Sequence, residues 1–395
     1  MPRQPTARTA PSTWLAASTA ALAVTWACIA GPGDDGHDAL RVEILRSEVE
    51  HVLAPAFASF ESAAKELDTK VAAWAAATAA GDDATAARDD ARTAYREAMA
   101  QWQRAEVLQI GPAGSSAYVR GGEDMRDAVY SWPTSDACRV DEETVAQGYA
   151  APGFDVALVN VRGLDALERL LFAESATNAC AATDEINQAG TWMALGDDEV
   201  VRRRSAYAAV LATQIHTAAS ELAQTWAPGG RFAGYLAAPG EGDSPYDTPS
   251  QALDDVLLAS AYVDLIVKDH KLAADAPAAL ETPLAGESKA HVRTNLVTLQ
   301  QLVWGGSSAA EGTGLDDFLV ELDEGPLADE LLAAIDDAIA SVDAVDGEFA
   351  EALTSDPAAL AAAHDAVVKL IDLLDGRVAT ALGLHSPSEA AGDAD

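Results

Sequence analysis

The sequence is poor in basic residues and, beyond residue 33, has no long apolar run. Its 395 residues include 25 lysines and arginines against 63 aspartates and glutamates, a formal net charge of −38. This charge repels polyanions over most of the surface, so the composition excludes nucleic acid as a partner and disfavours a bare anionic membrane surface. Because no later run is long enough to cross a bilayer, we expect no membrane-spanning helix after residue 33.

Sequence motifs of several common enzyme classes are also missing. The chain has no phosphate-binding loop, dinucleotide fingerprint or Cys-x-x-Cys pair, so nucleotide-binding and redox-motif functions have no support. Its seven histidines do not form the His-Glu-x-x-His pair of helical zinc peptidases. No nucleophile elbow frames a serine, which disfavours serine hydrolase chemistry.

The first 33 residues have the pattern of an export segment. Arg3 and Arg8 form a basic start, the stretch 14–27 is apolar, and a Gly-Pro-Gly triplet follows at 31–33. Cys28 comes after a degenerate form of the small-residue box that precedes the lipidated cysteine of bacterial lipoproteins. We therefore expect an exported protein of a bacterial cell envelope, either periplasmic or anchored through a lipid on Cys28. Removal of Cys28 with the segment is the alternative.

Cysteine is scarce, with three in the whole chain. If Cys28 takes a lipid or leaves with the export segment, Cys138 and Cys180 remain. A pair of cysteines in an exported protein most simply forms a disulfide. It would close a loop of about 40 residues and stabilise the fold by roughly 3–4 kcal/mol on the chain-entropy model. Two free buried thiols are the alternative.

Alanine, leucine, glutamate and aspartate dominate the composition, and strand-like alternation is hard to find. The sequence therefore predicts an all-α fold. Helices are predicted over residues 40–80, 82–108, 123–131, 155–173, 197–226, 250–274, 287–303, 326–353 and 357–382. Gly- or Pro-rich connectors separate them at 111–114, 228–230, 239–249 and 305–314.

The predicted helices divide into two halves, 38–195 and 196–385, each with the length of a helical bundle. We therefore predict two packed helical bundles. An internal duplication is left open, because the openings of the halves are loosely alike in spacing, but Ala-rich helices resemble one another by composition. The small acidic tail 386–395 is expected to be disordered.

The most informative stretch is 160–172, a helix-patterned run in which two acids fall inside an apolar stripe. At helical spacing Asp165 and Glu168 share one face with Leu158, Val161 and Phe172. Buried carboxylates are costly unless a metal, a basic group or several donors satisfy them. We therefore expect both side chains to line a shared internal pocket, as a pair of ligands or as its polar floor.

Plainer explanations exist for the same residues. Asp165 could be satisfied by salt bridges to Arg162 and Arg169, which lie three residues before it and four after it. Gly163 would let another helix or a ligand approach closely, and simple tight packing is its alternative.

Several landmarks follow one another in order along the chain. They are Trp102, Gly111-Pro112, Trp132-Pro133, the run 138–141, the stretch 160–172, Glu287-Ser288, Asn295 and the run 382–384. This ordered set resembles the imelysin family, also called the M75 peptidase-like family, over nearly the whole mature chain. The resemblance implies an exported, all-α protein of two helical bundles, often a lipoprotein, with a link to bacterial iron acquisition.

The signature of that family, Gly-x-His-x-x-Glu, falls here on Gly163, Asp165 and Glu168. Glycine and glutamate match, but Asp165 stands where the family has its histidine. A family peptidase activity attributed to metal chemistry is weakened by the missing imidazole, whereas an aspartate can still bind a hard cation through oxygen. Ser288 and Asn295 also match family positions.

One histidine is singled out as a further candidate ligand. The resemblance places the opening helix of the family near the signature, so His51 is the histidine that we expect to approach Glu168. The other helical histidines are interpreted as surface or boundary residues.

The leading hypothesis is an exported imelysin-like protein that binds a metal ion, an iron-containing ligand or a partner protein in bacterial iron uptake. The expected cofactor is a divalent metal or iron. An imelysin-type metallopeptidase and a non-catalytic cell-envelope scaffold are the alternatives. A peptidase needs an activated water and an open metal position, while a binding protein needs only affinity.

Overall fold

The computed structural model describes residues 36–173 and 177–384. Within these ranges the ordered elements are helices and no strand occurs, so the predicted all-α fold is confirmed. The export segment 1–33 with Cys28, and the acidic tail 386–395, lie outside the described residues.

The described residues form eighteen α-helices, numbered α1 to α18 in chain order. The first nine are α1 (Asp38–Ser47), α2 (Ala54–Ala80), α3 (Thr85–Glu106), α4 (Met125–Val129), α5 (Ala137–Ala146), α6 (Gly163–Phe172), α7 (Glu185–Gln188), α8 (Thr191–Leu195) and α9 (Asp197–Trp226). The others are α10 (Arg231–Ala237), α11 (Pro249–Leu257), α12 (Ala259–Tyr262), α13 (Ser288–Trp304), α14 (Leu315–Glu321), α15 (Gly325–Asp343), α16 (Phe349–Ser355), α17 (Pro357–Leu373) and α18 (Ala379–Leu382). Three π-helical segments extend or join them, at Glu48–Leu53, Val263–Lys271 and Leu374–Val378.

The longest helices form the centre of the molecule. Helices α2 and α3 form an antiparallel hairpin, and α9 packs along α2. The hairpin turns at Gly81, whose φ of 75° lets its amide cap the end of α2. Aromatic contacts connect the three helices, since Phe57 of α2 stacks on Trp226 of α9 and Phe60 lies 4.8 Å from the Trp102 ring of α3.

The remaining long helices build outward from this centre. Helix α13 packs on α3, α15 packs on α13, and α17 packs on α15. The described residues from Asp38 to Leu384 pack as one compact unit around a shared apolar core. Helix α9 belongs to the predicted second bundle yet lies along α2 of the first, so the boundary at 195/196 stays a prediction.

The predicted helix 155–173 is wrong in its first half. Two single 3₁₀ turns, Phe154–Val156 and Val159–Val161, occupy that part, and α6 begins only at Gly163. Gly163 has a φ of 83°, outside the α-helical region, so the backbone changes direction there. A Cβ at this position would lie 2.7 Å from the carbonyl oxygen of Val129, so the close approach that Gly163 permits is to the chain itself.

Other differences concern short elements. No helix was predicted at α5, α7, α8, α10 or α14, and one helix was predicted over 326–353 where α15 and α16 are separate. Short helices carry too few turns for a clear apolar period, which explains why they were missed.

Helix α6, which carries the signature, is deeply buried. Every residue in it except Arg169 is buried. It packs against α9, α3, α4 and α5. The carbonyl oxygen of Leu171, in its last turn, accepts hydrogen bonds from Arg88 and Arg92 of α3, each at 2.9 Å. These arginines satisfy a helix end that would otherwise leave its carbonyl groups unpaired.

No helix among residues 36–173 and 177–384 combines the length and the apolar character that crossing a bilayer requires.

One buried acid lies far from the signature in the sequence. Glu48, in the π-helical segment after α1, is fully buried, and neither of its carboxylate oxygens has a hydrogen-bond partner among the described residues. Burial raises the pKa of Glu48 well above its ordinary value, and the neighbouring Asp316 raises it further. Burial therefore favours the neutral form of Glu48 over the ionised one.

We predict that Glu48→Met stabilises the protein by about 1–3 kcal/mol at pH 7, the penalty of one unsatisfied buried group. Because folding raises the pKa of Glu48, its contribution to the free energy of unfolding is fully present below the pKa that it has in the unfolded chain. That contribution is lost as pH rises towards the folded-state pKa. The advantage of the variant should therefore grow between pH 4 and pH 8 in urea unfolding. Glu50→Met, on the exposed face of the same segment, is the control, and an equal gain from both changes would contradict the prediction.

Candidate functional site

The two acids of the signature lie one turn apart on α6, in the wall of a single cleft. This cleft has a volume of about 630 Å³ and lies between the segment 130–140, helix α6 and the loop 278–284. The side chains of Asp165 and Glu168 are 8% and 6% exposed. Both are therefore nearly withdrawn from bulk water while still lining an open space.

Asp165 has one satisfied and one unsatisfied oxygen. Its Oδ2 accepts a hydrogen bond of 3.0 Å from the Ser131 hydroxyl. Its Oδ1 is buried and makes no hydrogen bond within the described residues. Burial raises the pKa of Asp165 to about 6, because Ser131, the nearby amides of Asp165 and Ala166 and the charge of Arg126 offset only part of the desolvation.

Glu168 is held by backbone amides. Its Oε1 accepts hydrogen bonds from the N–H groups of Leu284 and Ala285, at 3.0 and 2.7 Å. Burial raises the pKa of Glu168 to about 7 against the effect of these two donors, and the charges of Asp165 and Glu281 raise it further. Glu168 therefore changes protonation near neutral pH.

Salt bridging, the plainer explanation for Asp165, is wrong. Arg162 donates to the backbone carbonyl groups of Ala157 and Asp155, and Arg169 pairs with Asp141 at 2.7 Å. Among the described residues, no lysine, arginine or histidine forms an ion pair with Asp165 or Glu168. Two carboxylates thus share a buried site without a basic partner, which is costly unless protons or a cation compensate.

Leu158 does not belong to the face that carries the two acids. Its side chain is 70% exposed, and it precedes the 3₁₀ turn ahead of α6. The helical spacing failed here because α6 does not extend back beyond Gly163.

A buried polar network lies next to Glu168, and of its residues and close partners the sequence pointed only to Ser288 and Asn295. We call it the lysine cluster. Its members are Gln103, Glu106, Lys271, Glu281, His291 and Asn295, all fully or almost fully buried.

Lys271 lies at the centre of the lysine cluster. Its Nζ is 3.0 Å from Glu281 Oε1 and donates to Gln103 Oε1 at 2.6 Å and to Asn295 Oδ1 at 2.8 Å. On the other side of Glu281, Oε2 lies 3.1 Å from Nδ1 of His291. Burial alone would raise the pKa of Glu281, but Lys271 and His291 outweigh it and hold that pKa at about 2. Glu281 is therefore ionised.

Ser288 and Asn295, which match family positions, form hydrogen bonds with residues of this network. The Ser288 hydroxyl donates to the backbone carbonyl of Glu281, and the Asn295 amide donates to the backbone carbonyl of Gln103 at 2.7 Å. Neither side chain lines the cleft. They orient Glu281 and Lys271.

The lysine cluster supports Glu168 through the chain between them. Glu281 begins the short loop whose amides at 284 and 285 bind the carboxylate of Glu168. Since Glu281 is fixed by Lys271, Gln103 and His291, the loop is anchored within four residues of its donors. The cluster therefore positions Glu168 without touching it.

Sequence patterns could have revealed part of the lysine cluster. Ser288, His291 and Asn295 are spaced by three and four residues on α13, so they share one face of that helix. Lys271 and Gln103 carry no such pattern, because they meet this face only through tertiary packing.

The structure does not bring His51 into the cleft. His51 is half-buried in the π-helical segment after α1, where its Nδ1 lies 4.0 Å from Glu311. No histidine contributes to the described wall of the cleft. The expectation that His51 approaches Glu168 is not supported by this placement.

Cys138 and Cys180 are joined in a disulfide, with their Cα atoms 4.5 Å apart. The bridge ties the start of α5 to the loop after α6, and Cys138 lines the cleft. Asp184 lies beside the two sulfur atoms, but sulfurs engaged in a disulfide offer no thiolate to a metal. At Asp165 and Glu168, the described residues provide no third carboxylate, histidine or cysteine ligand.

Known proteins identify the family. The family model for imelysin, the M75 peptidase group, matches residues 53–376. The chain belongs to the imelysin family. No curated protein matches it.

Two solved structures share the fold. One is described as an iron-regulated protein A precursor from Parabacteroides distasonis ATCC 8503, with 16% sequence identity and a TM-score of 0.67 over 87% of this chain and 95% of that chain. The other is an imelysin-like protein from Psychrobacter arcticus 273-4, also 16% identical, with a TM-score of 0.60 over 87% of this chain and 97% of that one. At this identity the likeness shows the imelysin fold.

We predict that Lys271→Met lowers the free energy of unfolding by about 3–5 kcal/mol, because it leaves Glu281 buried without its counter-charge. Adding Glu281→Gln should restore much of the loss, and urea unfolding of both variants measures it. Arg377→Met breaks the exposed pair with Glu330 at 2.6 Å and should cost only about 0–1 kcal/mol. A Lys271→Met variant as stable as this control would show that the lysine cluster does not anchor the fold.

Proposed function

We propose that this imelysin-family protein binds a hard metal ion, iron foremost, through Asp165 and Glu168, as an exported binding protein in bacterial iron uptake. The observation that carries the proposal is the pair of nine-tenths buried carboxylates that line a cleft without a basic partner among the described residues. A bound cation would compensate both charges. The name of the Parabacteroides protein links that relative to iron regulation, which supports the choice of metal.

The donor atoms in the cleft fit a hard cation. Asp165 Oδ1 and Asn160 Oδ1 are both buried without a hydrogen-bond partner in the described part of the chain, and both residues line the cleft. The carboxylate of Glu168 adds further oxygens. A set made only of oxygens suits iron in its harder forms, calcium or magnesium better than zinc, which favours nitrogen and sulfur.

The same donor set argues for binding over peptide hydrolysis. A hydrolytic zinc site in proteins usually holds the metal by three side chains, with histidine prominent among them. Here Asp165 replaces the family histidine, and no histidine is present in the described wall of the cleft. Two carboxylates do not enclose a metal, so water or a ligand that arrives with the metal must complete its coordination.

Export and anchoring belong to the proposal as well. The pattern of residues 1–33 supports export, and Cys28 supports a lipid anchor at the cell envelope. The Parabacteroides relative is described as a precursor, which agrees with a processed, exported protein. A partner protein that receives the metal at the envelope completes the proposed role.

We predict that Glu168→Ala weakens metal binding at least tenfold, which corresponds to about 1.4 kcal/mol, because one of the two charged ligands is lost. Calorimetric titration with ferrous, ferric, calcium and zinc ions measures the change. Asp155→Ala removes an exposed acid that does not line the cleft and should leave affinity unchanged. Metal-dependent hydrolysis of an unfolded protein by the wild type would favour the metallopeptidase, and no binding to any ion would favour the scaffold.

We also predict that metal affinity rises as pH increases from 5 to 8. The cation must replace the protons of Glu168 and Asp165, whose pKa values are about 7 and about 6. Titrations at pH 7 in two buffers of different ionisation enthalpy give the number of protons released. Glu168→Gln should flatten the pH dependence between 6 and 8. An affinity that does not change across this range would place the metal away from these carboxylates.

A further inference from the structure

A second cleft adjoins the first and has the opposite charge. Its volume is about 700 Å³, and its described lining contains three arginines, Arg92, Arg96 and Arg169, and one acid, Asp89. In a chain with a net charge of −38, this described lining has more arginines than acids. Pro283, Leu284 and Arg169 line both clefts, so the two are neighbours.

The aromatic ring of Phe172 orders two of these arginines. The guanidinium groups of Arg92 and Arg96 lie 5.6 and 4.8 Å from the centre of the ring. Stacking on an aromatic face holds a guanidinium in place without using its N–H donors. The cationic cleft is therefore preorganised at its apolar wall.

The three arginines differ in how many of their N–H donors already bind other groups of the protein. Arg92 donates to the carbonyl of Leu171 and to Asp89, so it also caps helix α6. Arg169 shares the buried Asp141 with Arg204, two cations on one carboxylate. Arg96 is 41% exposed, and within the described residues its ion pair is the 3.8 Å one with Glu287, beside its stacking on Phe172. Its donors are the least committed of the three, which makes it the residue to test.

We propose that this cationic cleft binds a small organic anion with two or more carboxylates. Guanidinium forks match planar carboxylates through paired hydrogen bonds, and three of them suit more than one carboxylate. Phe172, Pro283 and Leu284 supply apolar walls for the carbon skeleton of such a ligand. Helix capping accounts for Arg92 and the pair with Asp141 accounts for Arg169, whereas Arg96 is committed only to the long 3.8 Å pair with Glu287 among the described residues.

The inference deepens the proposed function and partly rests on it, because it names the form in which the metal arrives. Asp165 and Glu168 supply too few ligands to enclose a cation, and the cationic cleft lies across Leu284 from them. The amide of Leu284 holds Glu168, while its side chain, 43% exposed, lines both clefts. A polycarboxylate chelate would place its metal towards the acids and its free carboxylates towards the arginines.

The test measures binding of citrate to the full mature chain, freed of metal on a chelating resin, by isothermal calorimetry. Arg96→Gln should weaken binding about tenfold, the effect of losing one charge-assisted pair. Arg96→Lys should restore part of it, because the charge returns without the fork. The control is Arg293→Gln, an exposed arginine paired with Asp343 at 2.8 Å that does not line the cleft, and it should bind as the wild type does.

Parallel titrations separate the outcomes. Tricarballylate, with the same three carboxylates, should bind like citrate, whereas inorganic phosphate should bind more weakly. Three results would each overturn the inference. They are no binding of citrate, an equal loss of citrate affinity in Arg96→Gln and the control Arg293→Gln, and tighter binding of phosphate than of citrate. Citrate binding should persist in Glu168→Ala when metal is absent, so a failure of the metal site and a failure of the cationic cleft give different results.

Discussion

The ion pair of Lys271 with Glu281 is the interaction on which the candidate site depends. Both side chains are buried, and their desolvation is offset only because Gln103, His291 and Asn295 satisfy the remaining donors and acceptors. The pair joins the end of the π-helical segment Val263–Lys271 to the loop before α13, and Gln103 connects both residues to α3. It also fixes the first residue of the loop that binds Glu168. Without this anchor, the two amides at the carboxylate would belong to a mobile surface loop.

Charge is distributed unevenly around α6. On its cleft side, Asp165 and Glu168 are buried without a cation among the described residues, and their raised pKa values record the cost. At its other end, arginines of α3 cap the helix and stack on Phe172. Helix α6 thus borders both clefts, with Asp165 and Glu168 in the wall of one and Phe172 in the wall of the other. The proposed metal and the proposed organic anion would lie side by side along this helix.

The disulfide contributes to the same region in a different way. It joins the start of α5 to the chain after α6, and α5 also carries Asp141, the carboxylate shared by Arg169 and Arg204. Covalent and electrostatic links therefore converge on the segment that forms one wall of the cleft. The cross-link also stabilises the fold, because it limits the states open to the unfolded chain.

The sequence by itself determined the helical class, the family, and the choice of Asp165 and Glu168, since helical periodicity and the signature are local patterns. It misplaced the start of α6, because a positive φ at Gly163 is set by the approach of Val129, which no periodicity shows. Only the tertiary structure decided which groups face the two acids. Lys271 and Gln103 are separated by 168 residues, and His51 lies beside Glu311 instead of the cleft. Long-range packing determines such neighbours, and a single sequence carries no local record of it.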